Sequence, residues 1–486
     1  MNRFIISVSL SVIISIIVFF SLNDFGIAWD EPIYFRNAGS YIKWIKNPML
    51  KNIDQVFRVN EEDAHPPFRK VLSGITHEVM TNNLRIMDNT RGYRISTLLF
   101  VFPLIVTLTY VSIGRFGLRV GLLVPIMFSF MPHVFYLSAL ATLDYAIAAL
   151  WFIAVIAGIK GAKSYRWLTV SGIFIGLTML TKFHGFLLFV PVVGYLVWQK
   201  AHITKIFYVI AVSVGTYVAG WPWLWSSPFI HIQEYFRIQS VHGGIPVYVL
   251  GHMYAFAPWW YTPLMFFTTT PAFVLVFFMV GICLTLRKGS PFDWIILINA
   301  LYPILFFSLP GVYRYDWMRL FISAFPFIVL VSGKAIAVLP KKFFPFVYIL
   351  LFLTIYHSVV RIHPWESSYY NEFVGGIAGA KKLGFETEFW GNAYLKVLPW
   401  MNEHKKDPMC VWPTTHPFYY YQGMGQLDAH VQLVATKDDC HFLVALMRQG
   451  LFLRDPFVGK IVESHIPIHS VSVDGVPLLA VYDIRK

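Results

Sequence analysis

The chain has 486 residues, of which 57% are hydrophobic, 18% aromatic and only 13% charged. A soluble domain carries about 25% charged residues, so this composition, with a mean hydropathy of +0.58, excludes an ordinary soluble fold and points to a polytopic membrane protein. The formal net charge of +13 fits short basic loops against anionic lipid headgroups and not a nucleic-acid surface.

The first apolar run, FIISVSLSVIISIIVFFSL, is too long for a signal-peptide core and lacks a small-residue cleavage site, so it reads as a span. A bilayer core takes roughly 20 apolar residues per helix, and about eleven runs approach that length. They lie near residues 4–22, 93–113, 119–137, 140–159, 167–181, 184–198, 205–222, 263–285, 292–309, 318–338 and 343–360. With the N-terminus in the cytoplasm, the loops on that side read GRFGLR, KGAKSYR, QKAHITK, LRKGS and PKK. All are short and basic and none contains Asp or Glu, as expected for cytoplasmic loops. The expected arrangement is therefore a multi-pass protein with its N-terminus inside and its C-terminus outside. It divides into a transmembrane domain, residues 1–360, and an extracytoplasmic α/β domain, residues 361–486. Residues 23–92 and 222–262 form large loops on the outer side.

The first of these loops opens with WDEP, which places Asp30 and Glu31 where the chain leaves the membrane. Behind them Tyr34, Ala38, Tyr41 and Ile42 recur at helical spacing, with Arg36, Lys43 and Lys46 elsewhere on the wheel. That is the pattern of a helix lying on the membrane surface. HPPFRKVLSGITHEVM then predicts a break and a second helix with Val71, Leu72, Ile75 and Val79 on one side. Negative charge at a helix N-terminus is favoured by the macrodipole, so the Asp-Glu pair reads equally as a cap or as chemistry.

Further polar intrusions bear on that choice. Asp144 follows a hairpin tip in SALATLDYAIAAL, and Lys182 and His184 sit at another in LTMLTKFHGFLLF. Arg91 and Arg94 open one run, and Arg314, Asp316 and Arg319 open another. Ionisable groups at spans are costly and face a cavity or a partner, although each taken singly also reads as an interfacial snorkelling residue. The topology puts all of them, with Asp30, Glu31, His65 and Lys70, on the outer side, which predicts one polar cavity opening outward. Arg and Lys stabilise phosphate oxygens, an ionised Asp accepts a hydroxyl proton, and an aromatic-rich flank takes a lipid tail. In the second loop most aromatics belong to the interface, while His242 and His252, each beside glycine, are candidates to line the site.

In chain order, WDEP, HPPFRK, RGYRIS, LATLDYAIAAL, GLTMLTKFHGFLLFVP, PWWYTPLMFFTTTP and YRYDWMRLFISAFP resemble the dolichyl-phosphate-mannose protein mannosyltransferase-like family. These proteins belong to the GT-C class of membrane glycosyltransferases, together with the lipid A aminoarabinose transferases. SSYYNEFVGGIAGAKK and FWGNAYLKVLPWMN look like bacterial members, which implies a plasma-membrane location. One departure is that the family's HPPLGK reads HPPFRK here, so Arg69 replaces a small residue before Lys70. The resemblance implies a GT-C-like helical fold with a transmembrane catalytic domain. It also implies inverting transfer of a sugar from a polyprenyl-phosphate carrier to an acceptor hydroxyl of a protein, lipid or glycan. Asp30 is then the base, with Glu31 its neighbour. Lys70, Arg94, Lys182 and an arginine of the YRYDWMR segment (Arg314 or Arg319) would meet the phosphate. Asp144 and His65 would orient the sugar or a cation. Some relatives use a divalent metal, but no dense His/carboxylate cluster compels one, and no other cofactor is implied. The rival class is a transporter or lipid flippase, which expects ions near the midplane on broken helices.

The tail reads as helices in GIAGAKKLG and NAYLKVLPWMNEH, and as strands in MCVWP, CHFLVALM and HSVSVDGVPLLAVYDI, the last turning at Asp474-Gly475. Cys410 and Cys440 both fall in it, and disulfides persist in the outer compartment, so a bridge is expected between them.

Overall fold

The computed structural model describes residues 2–241, 243–434 and 439–485. Among these residues five helices are long and apolar enough to cross a membrane: Arg3–Phe20, Asn89–Ser129, Asp144–Gly161, Arg319–Ala337 and Lys341–Val360. A sixth arises if Tyr261–Thr269 and Ala272–Lys288, bent by 117° at Pro271, make one crossing. Phe183–Trp198, Ile203–Ala219 and Pro291–Phe306 are apolar but shorter. The chain is a multi-pass membrane protein, with fewer full-length helices than the eleven runs counted in the sequence. The difference lies in how the runs are shaped, since several are broken or cut short by Pro and Gly.

Asn89–Ser129 illustrates this. At ~1.5 Å per residue its 41 residues are too long for one crossing, and Gly117 leaves helical geometry at φ 77°. The chain folds back there, with Ser112 Oγ donating to the Gly121 carbonyl at 2.7 Å, a contact impossible along a straight helix. This reversal corresponds to the break between the runs at 93–113 and 119–137.

Asp144–Gly161 and Arg319–Ala337 are the central helices, each with 89% of its apolar window buried. Both begin at the same end of the bundle, which brings Asp144 and Arg319 within reach of each other. The helix Glu31–Lys46 buries Tyr34, Ala38, Tyr41 and Ile42 as the spacing predicts. The helix Phe68–His77 is mixed. Its polar residues Arg69, Lys70 and Ser73 are buried. Of the apolar side expected from the sequence, Val71 and Leu72 pack on the core, while Ile75, and Val79 just beyond the helix, are 42% and 40% exposed.

Among the described residues there are two sheets. β1 (Val247–Val249) and β2 (His252–Tyr254) form an antiparallel hairpin in the second loop. The C-terminal sheet has the order β3-β4-β6-β5. In it β3 (Met409–Trp412) pairs parallel with β4 (Phe442–Leu446), and β6 (Val476–Asp483) is antiparallel to β4 and to β5 (His469–Val473). Asp474 and Gly475 turn that last hairpin at φ 49° and 73°, the left-handed pair such a two-residue turn requires. Residues of β4 alternate between two cores. Phe442, Val444 and Leu446 pack with Val397 and Phe418, whereas Leu443 and Ala445 pack with Phe452 and Val458. The first core continues into Ile27, Phe35 and Ala141, so the C-terminal sheet is anchored on the first loop instead of standing apart as a separate module.

Candidate active site

The adjacent carboxylates Asp30 and Glu31 have opposite fates. Glu31 is fully buried and its oxygens accept from Arg94 Nε at 2.9 Å and Nη2 at 2.6 Å, and from the backbone N–H groups of Ala28 and Ala141. Arg94 spends its remaining donors on the carbonyls of Leu22, Phe25 and Gly26. Every N–H of that guanidinium is taken, so the geometry makes Glu31–Arg94 a pin that shapes the 22–31 loop and leaves Arg94 no donor for a phosphate. This corrects the expectation that Arg94 meets the carrier.

Asp30 occupies the N-cap of the same helix, yet its side chain makes no capping hydrogen bond. Its side chain is 27% exposed. Burial of its surroundings pushes its carboxyl up to about 6, with Arg319 partly opposing the shift. A carboxylate that is open, uncommitted and near neutrality is what a general base requires.

The loop carrying Asp30 is clamped from the C-terminal segment. Gly26 N–H donates to Asn392 Oδ1 at 2.8 Å and Trp29 N–H to the Trp390 carbonyl at 3.1 Å. A Cβ on Gly26 would lie 2.3 Å from the Asn392 carbonyl oxygen, so only glycine allows this approach. Residues 390–392 are themselves gathered by Glu388 Oε1, which accepts from their three backbone N–H groups.

Around Asp30 the charges alternate. Arg319 Nη1 lies 3.7 Å from Asp30 and 4.0 Å from Asp144, and its Nη2 lies 2.6 Å from Asp316. Lys182 Nζ donates to Asp144 at 2.7 Å. Arg448, from the loop after β4, pairs with the other oxygen of Asp316 and stacks 4.5 Å from the Trp29 ring. Three carboxylates thus face three cations, and Trp390 and Tyr315 flank the Arg319 guanidinium at 4.3 and 5.1 Å. Asp316 and Trp317 hold φ values of 51° and 40°, conformations non-glycine residues rarely adopt and that cluster where function demands them.

Beside this cluster is a cavity of about 590 Å³. Its polar end carries His65, Lys182, His184, Gln239 and Ser240, and its walls are Phe183, Phe186, Phe236, Phe306 and Phe307 with Tyr313 and Tyr315. Lys182 and the Tyr315 ring therefore connect the cavity to the charge cluster.

Residues 65–225 match the family model for dolichyl-phosphate-mannose-protein mannosyltransferase. That match covers 161 of the 486 residues and takes in the HPP turn, Asp144 and Lys182. The fold of the chain is similar to that of ArnT from Cupriavidus metallidurans in complex with undecaprenyl phosphate, with a TM-score of 0.53 at 13% identity over 98% of this chain and 97% of that one. The same protein in the apo state gives 0.52 at 14% identity with the same coverage. Comparison with curated proteins returns no match.

The remaining residues expected in the site divide clearly. His65 and His184 line the cavity. Lys70 is buried against Asp63, donates to the His65 carbonyl at 2.8 Å, and so supports the HPP turn without reaching the cavity. Arg69, the departure from the family pattern, fits because Ser73 and Ser96 each accept from it at 2.6 Å. Arg314 donates to the carbonyls of Leu309 and Val312, closing the end of the preceding helix. His252 is exposed on β2, and that hairpin packs on the C-terminal segment through Gly251 N–H and the Gly384 carbonyl at 3.0 Å. His242 lies outside the described residues. Among the described residues no three His, Cys, Asp or Glu side chains converge as a metal set. Asp30, Asp144 and Asp316 instead share Arg319.

Asp316 was visible in YRYDWMR as a polar intrusion without a role. Arg448 and Glu388 gave no sequence signal, because nothing in the tail marks which of its charges turns toward the membrane.

Proposed function

We propose that the chain is a glycosyltransferase that moves a sugar from a polyprenyl-phosphate carrier to an acceptor hydroxyl, with inversion at the anomeric carbon. The observation that carries this reading is the unbroken path from cavity to open carboxylate: Lys182 in the cavity wall, Asp144, Arg319, then Asp30. An apolar cavity ending in a cation suits a lipid phosphate, and the carrier named in the ArnT complex, undecaprenyl phosphate, is of that chemical class.

In this reading ionised Asp30 takes the proton from the acceptor hydroxyl as its oxygen bonds the anomeric carbon. The bond from that carbon to the carrier's phosphate oxygen breaks, and its electron pair leaves on the phosphate. Lys182 and Arg319 stabilise that charge, and preorganised electrostatics of this kind is usually the largest catalytic contribution. Asp144 and Asp316 hold the two cations in place, and His65 and His184 orient the carrier end. The catalytic domain is residues 1–360. The reaction lies on the extracytoplasmic side of a bacterial plasma membrane, with the N-terminus inside and the 361–486 domain outside, and the acceptor is a protein, lipid or glycan hydroxyl. The charges gather at one end of the bundle, whereas a transporter places them at the midplane.

The test is product formation by purified protein in lipid nanodiscs, offered a panel of polyprenyl-phosphate sugars and hydroxyl acceptors. Transfer from one carrier class, with the opposite anomer in the product, is the expected result. No transfer from any carrier, together with carrier movement across vesicles containing the protein, would overturn the reading.

A further inference from the structure

A second cavity, of about 600 Å³, lies at the other end of the bundle. The helix Asp144–Gly161 connects the two ends, since Asp144 belongs to the charge cluster and Lys160, in the last turn, lines this cavity. Sixteen residues at ~1.5 Å each place them ~24 Å apart, close to the thickness of a bilayer core. The second cavity is therefore about a bilayer core's thickness from the charge cluster.

Its mouth is built around one aromatic ring. Arg3 Cζ lies 3.9 Å from the Tyr110 ring centre and Nη2 donates to the Tyr110 hydroxyl at 2.6 Å. Lys160 Nζ lies 5.7 Å from the same ring and 4.2 Å from that of Trp167. Gly114 makes room for this arrangement, since a Cβ there would stand 2.4 Å from Arg3 Nη1. No Asp or Glu lines the cavity, and its floor is apolar, including Val106 and Ile153. Among the described residues neither cation has a carboxylate partner within ion-pair distance.

We propose that this cavity binds an anionic phospholipid, with its phosphate between Arg3 and Lys160 and its acyl chains along Val106 and Ile153. Charge complementarity selects the headgroup. Two cations held on aromatic faces of one cavity are pre-oriented for an anion. The apolar floor selects an acyl chain over free phosphate, and the depth matches where headgroups lie. Basic pockets between membrane helices recognise lipid headgroups in this way. The proposal does not depend on glycosyl transfer, because the residues are a membrane thickness from Asp30.

The test is native mass spectrometry of the full chain released from detergent with phosphatidylglycerol or phosphatidylcholine of matched acyl chains. Wild type is expected to retain phosphatidylglycerol at least tenfold better, also in a Lys182→Ala background that weakens the cavity beside Asp30. Arg3→Gln/Lys160→Gln should bring the two lipids to parity. Val106→Trp, which leaves both cations intact and fills the floor, should lower phosphatidylglycerol retention severalfold with glycosyl transfer unchanged. Undiminished preference in the double variant would overturn the site. So would full displacement of the lipid by soluble glycerol phosphate, which would make it a headgroup-only site. Stronger retention of a polyprenyl phosphate than of phosphatidylglycerol, lost in the double variant, would overturn the assigned occupant.

Discussion

Arg448 and Asp316 form an ion pair in which neither side chain has any exposed surface. One comes from the loop after β4 and the other from the start of a central membrane helix, so the pair ties the C-terminal sheet to the charge cluster. Asp316 shares its other oxygen with Arg319, and Arg319 faces Asp30. Through Asp316, Arg448 holds the cation next to the proposed base. Removing one partner of a buried pair leaves an uncompensated charge and costs about 3–5 kcal/mol. Arg448→Met should therefore lower the thermal midpoint and slow turnover together. Asp316→Asn/Arg448→Met should recover most of the stability, since Asn tolerates the left-handed backbone of residue 316, but not the turnover. Full activity in Arg448→Met would show that Arg319 needs no such support.

Asp30→Asn should reduce transfer by about 10²–10⁴-fold, the usual contribution of a general base, in a protein that remains folded. The pH dependence has a definite sign. With its carboxyl raised to about 6, Asp30 protonates as pH falls through that value, so kcat/KM should drop tenfold per unit below it. The same shift means that folding favours the protonated form, so ionised Asp30 lowers stability as pH rises from its ordinary value near 3.8 through about 6. At pH 7 the Asn variant should be as stable as wild type or more so. A thermal midpoint well below wild type at pH 7 would point to a structural role.

How far the site was legible can be judged from WDEP and its surroundings. An Asp-Glu pair at a membrane exit, followed by a helix, was readable as a place for chemistry. Of the polar intrusions expected to share one cavity, Asp144, Lys182 and Arg319 lie with Asp30, whereas Lys70, Arg94 and Arg314 are spent on other contacts. The division of labour within the pair was not readable. It depends on Arg94 folding back to collect Glu31 and the carbonyls of Leu22, Phe25 and Gly26, a long-range closure with no periodic signature. Strands and helices of the tail were legible from alternation and turn residues. Its docking was not, because Asn392, Glu388 and Arg448 act through backbone contacts and burial that only the assembled fold creates. The helix Phe68–His77 was legible as a helix, but the burial of Arg69, Lys70 and Ser73 was not, because their partners Asp63 and Ser96 come from other segments.

Glu31→Gln and Arg94→Ala should behave as folding lesions. Both side chains are fully buried, so either substitution should cost about 3–5 kcal/mol and lower the yield of folded protein. Carrier affinity per folded molecule should stay near wild type, measured by titration of the monodisperse fraction. A selective loss of carrier binding at normal stability would return Arg94 to the phosphate.

Lys182→Ala should act on the carrier. Its ammonium is in the cavity wall, and a hydrogen bond to a charged group contributes about 1.5–3 kcal/mol, or roughly 10- to 150-fold in affinity. Binding of polyprenyl phosphate should weaken by that factor while acceptor KM changes little. Equal weakening of both substrates would mean that Lys182 acts by positioning Asp144 instead.

Cys410 and Cys440 are joined, with Cα atoms 5.7 Å apart and a sequence separation of 30. Parallel pairing sets Cys410 opposite Leu443, and Cys440 lies just before that strand, so the sheet itself brings the two together. Closing a loop of this length removes unfolded-state entropy equivalent to about 3–4 kcal/mol. Cys283 is free and exposed. Alkylation of the denatured, unreduced protein should therefore modify Cys283 alone, and reduction should release the other two of the three cysteines. Cys410→Ala/Cys440→Ala should lower the unfolding midpoint of the C-terminal sheet, read by Trp fluorescence under non-reducing conditions. Three reactive thiols before reduction would show that the bridge does not form in the cell.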